Sequence, residues 1–246
     1  LVIFVFALKH GGNILAGIIS LFGISLVHLA TNLIDDYIDY KDLQKENRFI
    51  TAGRDCKCAY IRSGEATTKD LRNVILIFLS IAAFCGGILF FLSGPAVFCL
   101  AIIALFIALS YPHLSSRGLG DIAITIAYGP LMFEGVFYVM TKNFSLDAFI
   151  LSMICVMFVN TILYSHMLMD YDGDKNANKT TLCTKFKNKD NALKLILFFY
   201  GFSYILLGFY IYKTVSALDD ITGVNKEITE INVYVKQDDA AQSLMD

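Results

Sequence analysis

Long apolar stretches, each close to 20 residues, constrain the fold of this chain more than any other feature of its sequence. A helix needs about 20 apolar residues to cross the hydrocarbon core of a bilayer. Only 17% of the 246 residues are charged, and the mean hydropathy is +0.60, which is unusual for a soluble protein. The sequence therefore predicts an all-α fold, a polytopic transmembrane helix bundle. Spans are expected at about 13–35, 72–93, 95–111, 120–140, 146–169 and 192–213.

The two ends of the chain differ from this pattern. Residues 1–8 are apolar, with neither a start methionine nor a basic segment before them, and are expected to be the end of a truncated first span. About seven spans are then present. Residues 1–216 are predicted to form one transmembrane domain, and 217–246 a polar tail that is disordered or aberrant. The chain is expected to be a fragment truncated at both ends.

Lysine and arginine are distributed unequally between the two sides of the predicted bundle. Fifteen of the 20 lie in loops on one side. Eight lie in 41–72, Arg117 lies in the loop between the spans at 95–111 and 120–140, and six lie in 175–194. Because cytoplasmic loops carry an excess of Lys and Arg, these three loops are predicted to be cytosolic. The protein is expected to be integral to a membrane, the cytoplasmic membrane if it is bacterial.

A group of four aspartates lies where the span at 13–35 meets the first basic loop. Asp35, Asp36, Asp39 and Asp42 are three or four residues apart, so most of them share one face of a helix. If the helix ends here, its macrodipole disfavours negative charge at this position. Stability alone does not explain these residues, and a functional role is predicted.

A second acidic cluster, with Asp170, Asp172 and Asp174, follows the span at 146–169. Four crossings separate it from the first cluster, and an even number of crossings predicts that both lie on the cytosolic side. Carboxylate oxygens suit Mg²⁺, which often links one or two carboxylates to phosphate oxygens. Arg and Lys in the same loops would bind the same phosphates directly. The two clusters together predict a site for magnesium and a diphosphate.

Other metal sites fit the sequence less well. The second cluster resembles the start of a calcium-binding EF-hand loop, but Lys175 and Thr181 occupy the places of the required Gly and Glu. His166, Asp170 and Asp174 lie at intervals of four and could bind a transition metal. A secondary transporter with acidic ion-coupling residues is an alternative, although transport sites usually lie near the membrane midplane on interrupted helices.

Four motifs in order resemble the UbiA superfamily of intramembrane prenyltransferases. They are Asn32-Leu-Ile-Asp35-Asp36-Tyr-Ile-Asp39, Arg62-Ser-Gly64, Tyr111-Pro with Arg117-Gly-Leu-Gly-Asp121, and the segment from Asp170 through Asp174 to Leu182. The likeness extends from about residue 12 to 210. The third and fourth motifs are most similar to the 1,4-dihydroxy-2-naphthoate branch of menaquinone synthesis.

The resemblance implies nine helices, Mg²⁺ as cofactor, and transfer of a polyprenyl group from prenyl diphosphate to an aromatic acceptor inside the membrane lipid, with no nucleic-acid partner. A catalytically inactive fragment of such an enzyme is the other alternative. The ring faces of Tyr111, Tyr128 and Tyr164 could stabilise an allylic cation. For Tyr128 and Tyr164, ordinary helix packing is the alternative. The expected catalytic residues are Asp36, Asp39, Asp170 and Asp174, which would bind Mg²⁺ with Asp35 and Asp42. The expected substrate-binding residues are Asn32, Asp35, Arg48, Arg62, Tyr111, Arg117 and Lys179.

Overall fold

The computed structural model describes residues 1–46, 59–176 and 180–242, and these ranges contain helices and no strands, which confirms the all-α prediction. The α-helices are α1 (Val2–Lys9), α2 (Ile14–Glu46), α3 (Ala59–Arg62), α4 (Thr68–Ser93), α5 (Ala96–Ser116), α6 (Gly120–Ile126), α7 (Met132–Thr141), α8 (Leu146–Met169), α9 (Tyr171–Asn176) and α10 (Lys189–Gln242). A five-residue π-helical turn, Ala127–Leu131, joins α6 to α7.

Five helical segments of the described chain are long and apolar enough to cross a membrane, fewer than the seven expected. They are Ile14–Ile38, Thr68–Ser93, Gly120–Thr141, Leu146–Met169 and Lys189–Asp220. The apolar part of α5, Ala96–Tyr111, is shorter, and α1 has eight residues. At 1.5 Å per residue, α1 is about 12 Å long, well short of a hydrocarbon core of about 30 Å.

Local signals in the sequence explain where several helices begin and end. Thr67 caps α4: its hydroxyl accepts from the Asp70 N–H, and the Asp70 carboxylate accepts from the Thr67 N–H at 3.0 Å. The Ser145 hydroxyl caps α8 by accepting from the Ala148 N–H at 3.3 Å. Gly94, with a φ of +96°, ends α4, and Pro95 prevents the helix from continuing. Short turns therefore connect antiparallel neighbours.

The interior is best packed where α1, α2 and α7 meet. Ala7, Val136 and Met140 are buried there. A Cβ atom on Gly17 would overlap the Phe4 ring, so a larger residue at this contact between α1 and α2 would have to displace that ring. Small residues permit such close helix packing in membranes, where lipid removes most of the hydrophobic driving force.

Contacts at one end of the bundle define the direction of the helices. The Asn13 N–H donates to the Met140 carbonyl at 2.8 Å, and the Ser93 hydroxyl donates to the Val139 carbonyl at 2.6 Å. The Ser145 N–H donates to Glu134. The start of α2, the ends of α4 and α7, and the start of α8 therefore lie together. Both acidic clusters consequently lie at the opposite end, on the same side of the bundle.

Two segments differ from the sequence-based expectation. Helix α2 continues to Glu46, 11 residues beyond the predicted end of its span. Helix α10 continues through the tail to Gln242, where disorder was expected. In the tail sequence, apolar residues recur every three or four positions, at Leu218, Ile221, Val224, Ile228 and Ile231, which favours an amphipathic helix.

Candidate active site

A cavity of about 180 Å³ opens where α5, α6, α8 and α9 meet, at the end of the bundle that carries the acidic clusters. Asp121, Asp170 and Asp174 provide three carboxyl groups in its wall, and His166 lies beside them. The full lining is Tyr111, Gly118, Gly120, Asp121, Ile124, Leu163, His166, Met167, Asp170, Asp174 and Thr181.

The second acidic cluster is built on the break between α8 and α9. The Asp170 N–H ends α8 by donating to the His166 carbonyl at 3.1 Å, and the Asp174 N–H donates to the Asp170 carbonyl at 2.8 Å. Asp170 is exposed, whereas only 6% of Asp174 is exposed. The short helix therefore brings both carboxylates to the cavity at different depths.

Tyr171 and Lys175 fix the orientation of α9. The Tyr171 side chain is buried, and its hydroxyl donates to the Phe186 carbonyl at 3.0 Å. The Lys175 ammonium donates to the Tyr171 hydroxyl at 2.7 Å and to the Lys187 carbonyl at 2.9 Å. Lys175 is thus a structural residue that ties α9 to the loop before α10.

Lys185, from the loop before α10, contacts the cavity-lining Gly118 but does not itself line the cavity. Gly118 has a φ of +65°, and its carbonyl accepts from the Lys185 ammonium at 2.9 Å. A Cβ atom on Gly118 would lie 2.9 Å from the Lys185 Cε atom. Arg117, the predicted substrate-binding residue, is exposed and does not line the cavity.

Asp36, from the first acidic cluster, lies against α3. Asp36 accepts a hydrogen bond from the Tyr60 hydroxyl at 3.1 Å, and Tyr60 packs with Ile61 against α2 and α4. Asn32 and Arg62 are exposed. Since α2 ends at Glu46, these aspartates lie inside a helix and not at its C-terminus. The expectation that the macrodipole disfavours them was therefore wrong, and it supports no functional argument.

Helix α6 and the π-helical turn lie between the helices that carry the two clusters. The Asn160 amide of α8 donates to the Thr125 hydroxyl at 2.8 Å. On the other side, the Tyr128 hydroxyl is 2.6 Å from the Nδ1 atom of His28 on α2. This arrangement connects α2 and α8 at the level just below the acidic residues.

The chain matches the model of the UbiA prenyltransferase family over residues 1–218. The chain belongs to this family. Comparisons with curated proteins and with solved structures found no match. UbiA family membership means a membrane-embedded protein of a class that transfers prenyl groups to aromatic acceptors, in accord with the apolar helices described above.

The magnesium ion expected for a UbiA protein fits the chemistry of the cavity. Its wall offers hard carboxylate oxygens from Asp170 and Asp174, with Asp121 nearby. Within the described residues, no three His, Cys, Asp or Glu side chains converge closely enough to hold an ion by themselves. Mg²⁺ bound together with a diphosphate needs only one or two carboxylates, because phosphate oxygens and waters complete its octahedron.

The structure brings together some of the predicted site residues of this UbiA chain. Tyr111, Asp170 and Asp174 line one cavity, while Asn32, Asp36 and Arg62 lie at the same end of the bundle around α2 and α3. The side chains of Asp35, Asp39 and Asp42 lie outside the part of the chain that the structure describes, and so do Arg48 and Lys179.

The sequence analysis gave no role to Asp121, which lines the cavity, or to Lys185 and His28. Asp121 was part of the motif Arg117-Gly-Leu-Gly-Asp121 but was not assigned a role. Lys185 lies beyond the motif, and only the fold of the loop before α10 brings it to Gly118. His28 lies in the middle of an apolar span, where an ionisable residue is itself a signal of function.

Tyr164 is buried and donates to the Ala192 carbonyl at 3.0 Å, so it serves in packing.

Proposed function

We propose that this chain is a magnesium-dependent prenyltransferase that transfers a polyprenyl group from prenyl diphosphate to an aromatic acceptor. One observation carries the proposal: Asp170 and Asp174 line a cavity with Asp121 and Tyr111, at the end of the bundle to which α2 also brings Asp36. Asp36, Asp39, Asp170 and Asp174 are the proposed catalytic residues, with Asp35 and Asp42 as further metal ligands.

The acidic residues would hold Mg²⁺ on the diphosphate, and the ion when bound would supply Lewis-acid stabilisation of the leaving group. The chain's own cations would add to this effect. Arg48, Arg62, Arg117 and Lys179 are proposed diphosphate-binding residues from the sequence, and Lys185 joins them because it lies at Gly118 in the cavity wall. Preorganised positive charge stabilises the charge that develops as the C–O bond breaks.

The apolar helices would protect the reaction from water. A prenyl chain dissolves between membrane helices, and an allylic cation formed there meets the acceptor before it meets solvent. Tyr111 lines the cavity that holds Asp170 and Asp174, so its ring is the proposed cation-stabilising face.

The proposed acceptor is 1,4-dihydroxy-2-naphthoate. The support is the similarity of Arg117-Gly-Leu-Gly-Asp121 and of the segment after Asp170 to the corresponding motifs of that branch of the superfamily. The active site is proposed to face the cytosol, because the loops at its end of the bundle carry most of the Lys and Arg residues.

The experiment is incubation of membrane vesicles containing the full chain with labelled prenyl diphosphate, Mg²⁺ and a panel of aromatic acceptors. The expected result is a prenylated dihydroxynaphthoate, detected by mass spectrometry, together with diphosphate release that EDTA abolishes. Diphosphate release that persists without a divalent metal would contradict the magnesium proposal. Transfer to a different acceptor would change the proposed substrate and leave the reaction type in place.

A further inference from the structure

A histidine lies inside the apolar part of α2, hydrogen-bonded to a tyrosine of the neighbouring helix. His28 belongs to the candidate span Ile14–Ile38, and its Nδ1 atom is 2.6 Å from the Tyr128 hydroxyl. The two rings meet edge to face, with centroids 5.6 Å apart. Ionisable side chains inside membrane spans are costly and usually line a substrate path or a proton path.

The backbone around Tyr128 is irregular. Tyr128 lies in the π-helical turn Ala127–Leu131, where Gly129 has non-helical angles (φ −91°, ψ −109°) and Pro130 has no N–H to donate. A Cβ atom on Gly129 would lie 3.1 Å from Val156, so the turn packs tightly on α8 while Tyr128 contacts α2.

The contacts of the two ring nitrogens favour a proton on Nδ1 of His28. The Asn32 amide nitrogen, which is a donor, lies 3.5 Å from Nε2 and favours the lone pair on that atom. The Tyr128 oxygen, 2.6 Å from Nδ1, then accepts from Nδ1–H.

The Nε2 atom is available to a ligand. The nearest donor in the described part of the chain is the Asn32 amide at 3.5 Å, at the limit of a hydrogen bond, and the His28 side chain is exposed. Eight residues of α2 separate His28 from Asp36, about 12 Å along the helix axis. His28 thus offers a base deeper in the membrane than the acidic residues.

We propose that His28, oriented by Tyr128, binds the hydroxyl group of a hydroxylated aromatic acceptor and takes its proton during prenyl transfer. This assignment rests on the proposed prenyltransferase function. The C–O bond of the prenyl diphosphate breaks, and its electron pair leaves with the diphosphate. The ring carbon forms the new C–C bond as the hydroxyl proton moves to His28 Nε2. The ring-carbon proton then moves to the acceptor oxygen, which restores aromaticity and leaves one proton on His28.

The test compares a hydroxylated acceptor with its methyl ether, which has no proton to give. His28→Gln is assayed in vesicles beside the wild-type chain, with His10→Gln as a matched control, because His10 lies at the opposite end of the bundle and contacts the Phe6 carbonyl at 2.9 Å. We expect His28→Gln to lower kcat/KM for the hydroxylated acceptor by about 10²-fold. Its rate with the methyl ether and its hydrolysis of prenyl diphosphate without acceptor should stay unchanged. Tyr128→Phe should give a smaller loss of the same kind.

The outcomes separate this assignment from the function on which it rests. If His28→Gln retains the wild-type preference for the hydroxylated acceptor, His28 is not the base. If the preference collapses in His10→Gln as well, the effect is structural and the assignment is also wrong. A wild-type chain that releases no diphosphate with any acceptor would overturn the proposed function itself. If His28→Gln does not hydrolyse prenyl diphosphate, the same comparison is made with His28→Asn.

Discussion

The side-chain amide of Asn160 donates a hydrogen bond to the hydroxyl of Thr125 over 2.8 Å, and this contact joins α8 to α6 behind the acidic cavity. The Thr125 hydroxyl in turn donates to the Asp121 carbonyl at 2.7 Å. Only 5% of Asn160 is exposed, and its Oδ1 atom has no hydrogen-bond partner in the described chain. The contact fixes the relative height of the helices that carry Asp121 and Asp170.

Substitution of this pair should reveal a direct interaction between the two helices. We expect Asn160→Leu and Thr125→Val each to lower the free energy of unfolding. The double variant should lose about 0.6 kcal/mol less than the sum of the two single losses, since this is the average measured for hydrogen bonds between membrane helices. Thermal unfolding in detergent measures the coupling. Additive effects would mean that the hydrogen bond contributes nothing to the packing of α6 on α8.

Asp170 and Asp174 should be essential for turnover, and their neighbour Asp172 should not. We expect Asp170→Asn and Asp174→Asn each to lower kcat by at least about 10²-fold, because each removes a carboxylate proposed to hold the Mg²⁺ that stabilises the leaving group. Asp172→Asn is the matched control: it lies on the same short helix, and its carboxylate makes only an exposed ion pair with Lys189 at 3.9 Å. Labelled diphosphate release measures all three, and equal losses for the three variants would point to damage to α9 instead.

Two glycines with positive φ should respond differently to alanine. Gly118 and Gly64 have φ values of +65° and +80°, so alanine at either position costs about 1 kcal/mol of backbone strain. A Cβ atom on Gly118 would also meet Lys185, whereas nothing lies within 4 Å of one on Gly64. We expect Gly118→Ala, and not Gly64→Ala, to raise KM for prenyl diphosphate. Equal KM values for the two variants would remove Lys185 from the proposed site.

The Thr67 cap should contribute measurably to the stability of α4. Its hydroxyl accepts from the Asp70 N–H at 3.2 Å, so Thr67→Ala should lower the free energy of unfolding by about 1 kcal/mol. Thr214→Ala is the control, because the Thr214 hydroxyl only donates back to the Tyr210 carbonyl within α10. Thermal unfolding of both variants in detergent checks this, and a control that is destabilised as much as the cap variant would refute it.

The sequence predicted the bundle and the arrangement of its ends well, because both depend on local composition. Apolar runs of about 20 residues become helices in a membrane whatever their packing, since every backbone group must be paired there. The number of crossings between Asp36 and Asp174 then determines that the two lie at one end. Turn residues such as Gly94 and Pro95 set the helix ends for reasons that are also local.

Features that depend on tertiary contacts could not be predicted in this way. Pro130 follows a glycine in the span at 120–140, but the sequence alone does not show that Gly129 has non-helical angles and packs closely on Val156. Lys185 contacts the cavity-lining Gly118, 67 positions earlier in the chain, through a hydrogen bond. The extension of α2 to Glu46 was missed because a charged segment outside the membrane was assumed to be a loop.

In the proposed mechanism, the two distant acidic clusters act on one metal-bound diphosphate. The most direct measurement is magnesium-dependent diphosphate release by Asp36→Asn, Asp174→Asn and the double variant, in vesicles of the full chain. If both residues serve one site, each single change should lower kcat by about 10²-fold, and the double variant should be little worse than the poorer single variant. Wild-type release by Asp36→Asn, or losses that multiply as for independent sites, would contradict the account.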